Sequence, residues 1–178
     1  MFRDILSRIS LPTPTSRPFL LSAAALLCVT AVMVSWLARD RHTPPDLRPT
    51  AAVLPIEANM IGGDNDNYST LMTEAITSEL ARLGTVSVAS YTSAMQFEGQ
   101  RRPMREIAAA LKSRYVVEAS VDDEASEILV VAQIVTAEDG RKIWGTDYRG
   151  ARDDVRGIAQ RIAFDVNEAI LLREESRP

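Results

Sequence analysis

The stretch YVVEASVDDEASEILVVAQIVT, residues 115–136, decides the fold class. Tyr115 to Asp122 and Ile128 to Thr136 are rich in β-branched residues, and the polar run Asp123-Glu124-Ala125-Ser126 separates them. That pattern reads as two strands of a hairpin. Pairing Asp122 with Glu127 would set Glu118 against Val131 and Val116 against Gln133. The segment Ile128–Val135 is apolar at nearly every position, as expected of a strand covered by layers on both sides.

Downstream, Glu138-Asp139-Gly140 reads as a three-residue hairpin loop with glycine at the left-handed position. Setting Ala137 opposite Arg141 makes Ile134 face Trp144 and Val130 face Tyr148. A last helix starts at Asp153-Asp154. Its Val155, Ile158, Ala159, Ile162, Ala163, Val166 and Ile170 keep the 3.6-residue period. Acidic residues at its start and Arg173 near its end suit the helix dipole.

Upstream, Ala51-Ala52-Val53-Leu54-Pro55-Ile56 reads as a strand, and Tyr68 to Leu83 as a helix with Met72, Ala75, Ile76, Leu80 and Leu83 on one stripe. Gly84 stops that helix. Val86 to Tyr91 alternates as a strand, and Pro103 sits at the first turn of a helix carrying Met104, Ile107, Ala108 and Leu111 inward. The order is β-α-β-α-β-β-β-α. Strand-helix-strand repeats imply parallel pairing through crossovers, and the hairpins add antiparallel strands. The expectation is an α/β domain over 51–175, with a mixed five-strand sheet flanked by helices.

The chain of 178 residues has room for an anchor ahead of this domain. Residues 18–38, PFLLSAAALLCVTAVMVSWLA, carry no charge. About 20 such residues as a helix rise roughly 30 Å, the thickness of a hydrocarbon core. Arg17 bounds one end and Arg39-Asp40-Arg41 the other, with Trp36 at the interfacial position. A cleaved signal peptide needs a shorter core and a small-x-small exit, and bulky Trp36 opposes that. A lipoprotein box ahead of Cys28 fails because Leu26 and Leu27 stand where small residues are required. The segment reads as one transmembrane helix, with residues 1–17 before it and a proline-containing tether, 39–50, after it. The flanks tie at Arg3, Arg8 and Arg17 against Arg39, Arg41 and Arg48, so charge leaves orientation open. Phe2, Ile5, Leu6 and Ile9 at helical spacing between Arg3 and Arg8 suit an inner-leaflet surface helix. They favour a cytoplasmic N-terminus and a periplasmic domain on the inner membrane.

Residues 49–178 carry 14 basic against 21 acidic side chains. Such an acidic domain is unsuited to gripping a phosphate backbone, so nucleic acid is not an expected partner. Cys28 is the single cysteine and reads as a small hydrophobe, while His42 sits alone in the tether as a solvated side chain. Thiolate zinc, histidine zinc and histidine-activated nucleophiles are thereby excluded from the domain. Asp64-Asn65-Asp66-Asn67 would need glycine and glutamate where Ser69 and Ala75 stand to be a calcium loop, and Gly62-Gly63 lacks a phosphate loop's spacing and lysine. No metal, cofactor or catalytic residue is expected.

Two polar groupings are candidate sites. Glu118, Ser120 and Gln133 would share a sheet face with Leu129 and Ile143. A carboxylate there must find donors, so the cluster reads as a register-fixing polar set or as a ligand site. Arg101, Arg102, Arg105, Lys112 and Arg114 form a basic cluster that reads as a solvated helix face or a partner surface for acidic headgroups or carboxylates.

Six stretches in order carry a family resemblance: Val53-Leu54-Pro55; Thr73-Glu74-x-Ile76 through Leu80-x-Arg82-Leu83; Arg105-Glu106-Ile107 leading to Leu111; Arg114 to Val121; Ala132-Gln133-Ile134-Val135; and Asp139-Gly140 followed by Trp144. Over about residues 51–172 the chain resembles the TolB amino-terminal-like domain, related to FlgO and CsgG-type domains. That domain occurs in bacterial envelope proteins and, behind a membrane span, in tetratricopeptide-repeat and adenylate-cyclase proteins. The resemblance implies a fold like the anticodon-binding domain of class II tRNA synthetases, and no enzymatic reaction. Ala119 and Asp123-Glu124 stand where family members often have glycine. The sequence carries neither repeats nor a cyclase domain, so any output is expected to run through a partner.

The expected function is a non-enzymatic, protein-binding envelope module whose partner is another envelope protein, with self-association left open. The rival expectations are a small-molecule sensor signalling across the span and a subunit of an oligomeric secretion complex. The last would need extra amphipathic strands, for which the chain has no spare segments.

Overall fold

A computed structural model describes residues 46–59, 65–124 and 127–177. The apolar span 18–38, the N-terminal segment 1–17, Cys28 and His42 lie outside these residues, as do Gly62, Gly63, Asp64 and the hairpin tip Ala125-Ser126. Among the described residues no helix is long and apolar enough to cross a membrane.

The elements are β1 (Thr50–Val53), β2 (Glu57–Asn59), α1 (Asn65–Leu83), β3 (Ser87–Val88), α2 (Tyr91–Met95), α3 (Met104–Ala110), β4 (Tyr115–Glu124), β5 (Glu127–Thr136), β6 (Lys142–Gly150) and α4 (Val155–Glu175). They build a mixed sheet in the order β3-β1-β4-β5-β6, with β2 also paired to β4. β1 runs parallel to β3 and to β4, while β4, β5 and β6 form an antiparallel meander.

The sheet has six strands where five were expected, because the first strand breaks at Leu54-Pro55-Ile56. Proline has no N–H to give a ladder. The backbone at the break is satisfied from α1 instead: Ile56 N donates to Thr73 Oγ1 at 3.0 Å, and Ser69 Oγ donates to Ile56 O. Past the break, β2 rejoins β4 at Glu57↔Ser120. The expected strand Val86–Tyr91 is only Ser87–Val88, since Ser90 caps a short helix by accepting from Ser93 N. Arg48 donates to the Gly84 carbonyl at 2.9 Å, and Thr50 already belongs to β1.

The main core lies on one face. α1 and α4 pack there, and Met72, Ile76, Leu80, Ile158, Ile162, Val166 and Ile170 are fully buried against Val117, Val130, Ala132 and Ile134. Each such side chain contributes roughly 1.5–3 kcal/mol relative to exposure. The opposite face has a small second cluster under α3, made by Ala108, Val116 and Val135. The expectation that layers cover both faces of Ile128–Val135 is therefore corrected. Leu129 is half-buried and Val131 is 38 % exposed, because α3 spans only seven residues and shields one end of the sheet.

Next to its loop β6 slips by one residue, since Val135 pairs with Lys142 and Thr136 N donates to Arg141 O, so Ala137 does not oppose Arg141 as expected. Beyond that slip the β5–β6 pairing matches expectation, with Ile134↔Trp144, Val130↔Tyr148 and Gly140 at φ +66°. The β4–β5 register does not. Glu124 pairs with Glu127, so Glu118 opposes Gln133 and Val116 opposes Val135, two residues from the expected alignment. Both strands therefore run further toward the hairpin tip than expected, to Glu124 and Glu127. A register irregularity at Ile134/Val135 also moves Ile143 to the main core, away from the face of Glu118.

Candidate functional site

The open face of the sheet carries the polar candidates. An even-numbered register shift keeps side chains on their face, so Glu118, Ser120 and Gln133 still project together. Gln133 Nε2 donates to Glu118 Oε2 at 2.9 Å across the directly opposed pair. Ser120 lies beside Glu57 of β2 and opposite Val131. Farther along, Asn59 Nδ2 donates to Asp122 Oδ1 at 3.0 Å, tying β2 to β4 by side chains as well as backbone.

These residues floor a groove of about 830 Å³. One wall is the broken strand, from Leu54 to Asn59; the other is the segment Phe97 to Met104. Arg101 and Arg102 are exposed on that second wall, facing the groove that holds Glu118, Ser120 and Gln133. Five of the eight side chains singled out in the sequence thus converge. Arg105 does not join them. It lines a separate cleft of about 530 Å³ with Lys112 and Arg114, beyond α3. The groove exists because β1 ends at Val53, ahead of Pro55, and α3 is short, leaving the middle of β4 and β5 uncovered.

A polar ladder on α1 holds the groove's wall. Ser69, Thr73 and Thr77 recur every fourth residue and are buried. Thr73 Oγ1 donates to Ser69 O and Thr77 Oγ1 to Thr73 O, each at 2.7 Å. In the sequence Thr73 stands out only as part of a family-like stretch. The signal available was a hydroxyl stripe at helical spacing facing a proline-broken strand.

The other polar contacts clamp the scaffold. Tyr68 donates to the Arg152 carbonyl at 3.1 Å, and burial pushes its hydroxyl up to about 12, with Arg152 opposing and nearby Asp123, Asp153 and Asp154 reinforcing the rise. Tyr148 donates to Asp165 at 2.7 Å, and burial plus that carboxylate raise its pKa. Burial resists ionisation of Glu174. The Tyr115 hydroxyl, Arg114 and Arg177 outweigh it and hold the carboxyl below its usual range. Among the described residues no group of three or more His, Cys, Asp or Glu is placed to hold a metal ion.

No family model matches the chain. A curated protein of Rhizobium meliloti named "Putative adenylate cyclase 3" is 26 % identical over 151 residues, covering 78 % of this chain and 26 % of that protein. The chain thus spans about a quarter of the length of the curated relative it matches. Among solved structures, TolB from Acinetobacter baumannii aligns with a TM-score of 0.51 at 15 % identity, over 72 % of this chain and 30 % of that one. The Xanthomonas campestris protein XCC0632 aligns with a TM-score of 0.51 at 9 % identity, over 75 % of this chain and 95 % of that one. At these identities the likeness is one of fold. It agrees with the TolB-like architecture that the sequence resembles.

Proposed function

We propose that this chain is a membrane-anchored, non-enzymatic protein of a bacterial envelope, whose α/β domain binds another protein across the open face of its sheet. Residues 18–38 would hold it in the inner membrane, with the N-terminus inside and the domain periplasmic. The observation that carries this reading is the groove itself. It sets exposed Val131 and half-buried Phe97 and Met104 beside a carboxylate, an amide and two arginines, the mixture of apolar and polar groups that protein interfaces use.

The test is Glu118→Gln in the full chain, purified from membranes after crosslinking. An unchanged melting temperature with loss of a stoichiometric crosslinked protein supports binding through this face. Equal recovery of that protein, or a collapse in folding, returns Glu118 and Gln133 to a structural role. A sensor that takes a small molecule is the second reading. The groove's volume favours it, since it falls within the range of about 300–1,000 Å³ typical of ligand sites. Ligand-dependent thermal shifts that vanish in Glu118→Gln would select it over protein docking.

A further inference from the structure

The second cleft concentrates positive charge on a domain that is otherwise acidic. Arg105 and Lys112 reach it from α3 and its C-terminal turn, Arg114 from the start of β4, and Arg173 and Arg177 from the end of α4. Residues 46–178 hold 15 basic and 22 acidic side chains, and five of the 15 line this one concavity. Glu138 lines it, Glu174 lies beside it, and Asp139 accepts from the hydroxyl of the lining Thr136. Glu174 is already engaged by Arg114 and Arg177, at 2.9 and 3.2 Å. Arg105, Lys112 and Arg173 make no salt bridge among the described residues. The hydroxyl-bearing residues Thr50, Ser113 and Thr136 complete the lining.

Lys112 adds an independent sign. Its φ of +52° places a lysine in the left-handed region just past α3, where glycine is the ordinary choice. A long cation at that position sets aside the conformationally easier residue and adds its ammonium to the cleft. Strained backbone maintained in this way is a recurrent mark of a functional position.

We propose that this cleft binds the phosphate of an anionic phospholipid headgroup in the bilayer that holds the chain. The proposal rests on the anchored reading above. Thr50 lines the cleft, and 12 chain steps, through residues 39–49, link it to Ala38 at the end of the apolar segment. Fully extended, they reach at most about 40 Å. A bilayer around residues 18–38 therefore keeps headgroups within covalent reach of the cleft at high local concentration, which no free phosphate shares. Guanidinium forks suit phosphate oxygens, and each basic residue near an anionic surface strengthens attachment by about fivefold.

The test uses the full chain with Cys28→Ser and Ala109→Cys, the latter an exposed cleft residue bearing a fluorophore. It is reconstituted in nanodiscs of phosphatidylcholine with increasing phosphatidylglycerol and a trace of headgroup-quencher lipid. Quenching should rise with phosphatidylglycerol. The fraction needed for half-maximal quenching should increase about fivefold in Lys112→Gln or Arg173→Gln and stay unchanged in Arg156→Gln, at the far end of α4. Quenching that ignores phosphatidylglycerol, or variants that behave as wild type, would overturn the proposal. So would reversal by inorganic phosphate or by a glutamate-rich peptide at matched ionic strength, which would mark a free-anion site or a protein-docking site. Flotation with phosphatidylcholine vesicles judges the anchor separately. A chain that fails to float removes the anchored reading, and flotation with phosphatidylglycerol vesicles, wild type against Lys112→Gln, then decides the cleft.

Discussion

Thr73 shows how one hydroxyl can hold a wall of a binding groove. Its Oγ1 accepts from the Ile56 N–H at the point where Pro55 interrupts the first strand, and donates in turn to Ser69 O. Thr73→Val keeps the shape but leaves that buried N–H without its partner, at about 1–3 kcal/mol. Urea unfolding should show this loss with an unchanged m-value. Lys112 makes the opposite prediction. Lys112→Gly relieves its positive φ and should raise stability by about 0.5 kcal/mol once the flexibility of the unfolded glycine is counted. Glu174 supplies a pH signature. Its folded carboxyl lies below the ordinary glutamate value of about 4.3, so its stabilisation is present above that value and is lost as pH falls through the lowered one. Melting curves of wild type and Glu174→Gln should therefore differ at neutral pH and converge in acid.

At the scale of elements, legibility followed the strength of each local signal. The seven inward positions of α4 recur without interruption, and all but half-buried Val155 are buried. Asp139-Gly140 marks its hairpin, with Gly140 at positive φ, but the irregularity at Ile134/Val135 shifts the pairing beside the loop by one residue. The β4–β5 turn holds three polar residues and an alanine, with no glycine or proline, so the sequence allows the register to slide by two. Sliding by two preserves the face, which is why Glu118, Ser120 and Gln133 were grouped correctly on an incorrect alignment. Val86–Tyr91 alternates like a strand, yet Ser90 ends it, since a hydroxyl that can cap a helix outweighs two β-branched residues. Arg105 was grouped with Arg101 and Arg102 by proximity in sequence, although a turn of α3 sends it to another cleft. Ile162→Ala, in the middle of α4 at zero exposure, should cost about 2–5 kcal/mol, against less than about 0.5 for Phe164→Ala two residues on, which is 53 % exposed. Thermal or urea denaturation of the two variants checks the assigned face of α4 directly.

The whole molecule divides its labour between the two faces of one sheet. Two long helices cover one face and supply most of the core, and the other face stays largely open. That second face, half-covered by α3, carries the groove at its middle and the basic cleft at its end. The proposed assignment gives the groove to a protein partner and the cleft to the bilayer. The measurement that tests the central claim most directly is site-specific photo-crosslinking of the full chain in native membranes, from Val131 on the open face and from Phe164 on the exposed side of α4. The account predicts a discrete protein adduct from Val131 that disappears with Glu118→Gln, and none from Phe164. The same adduct from both positions, or from Phe164 alone, would contradict it.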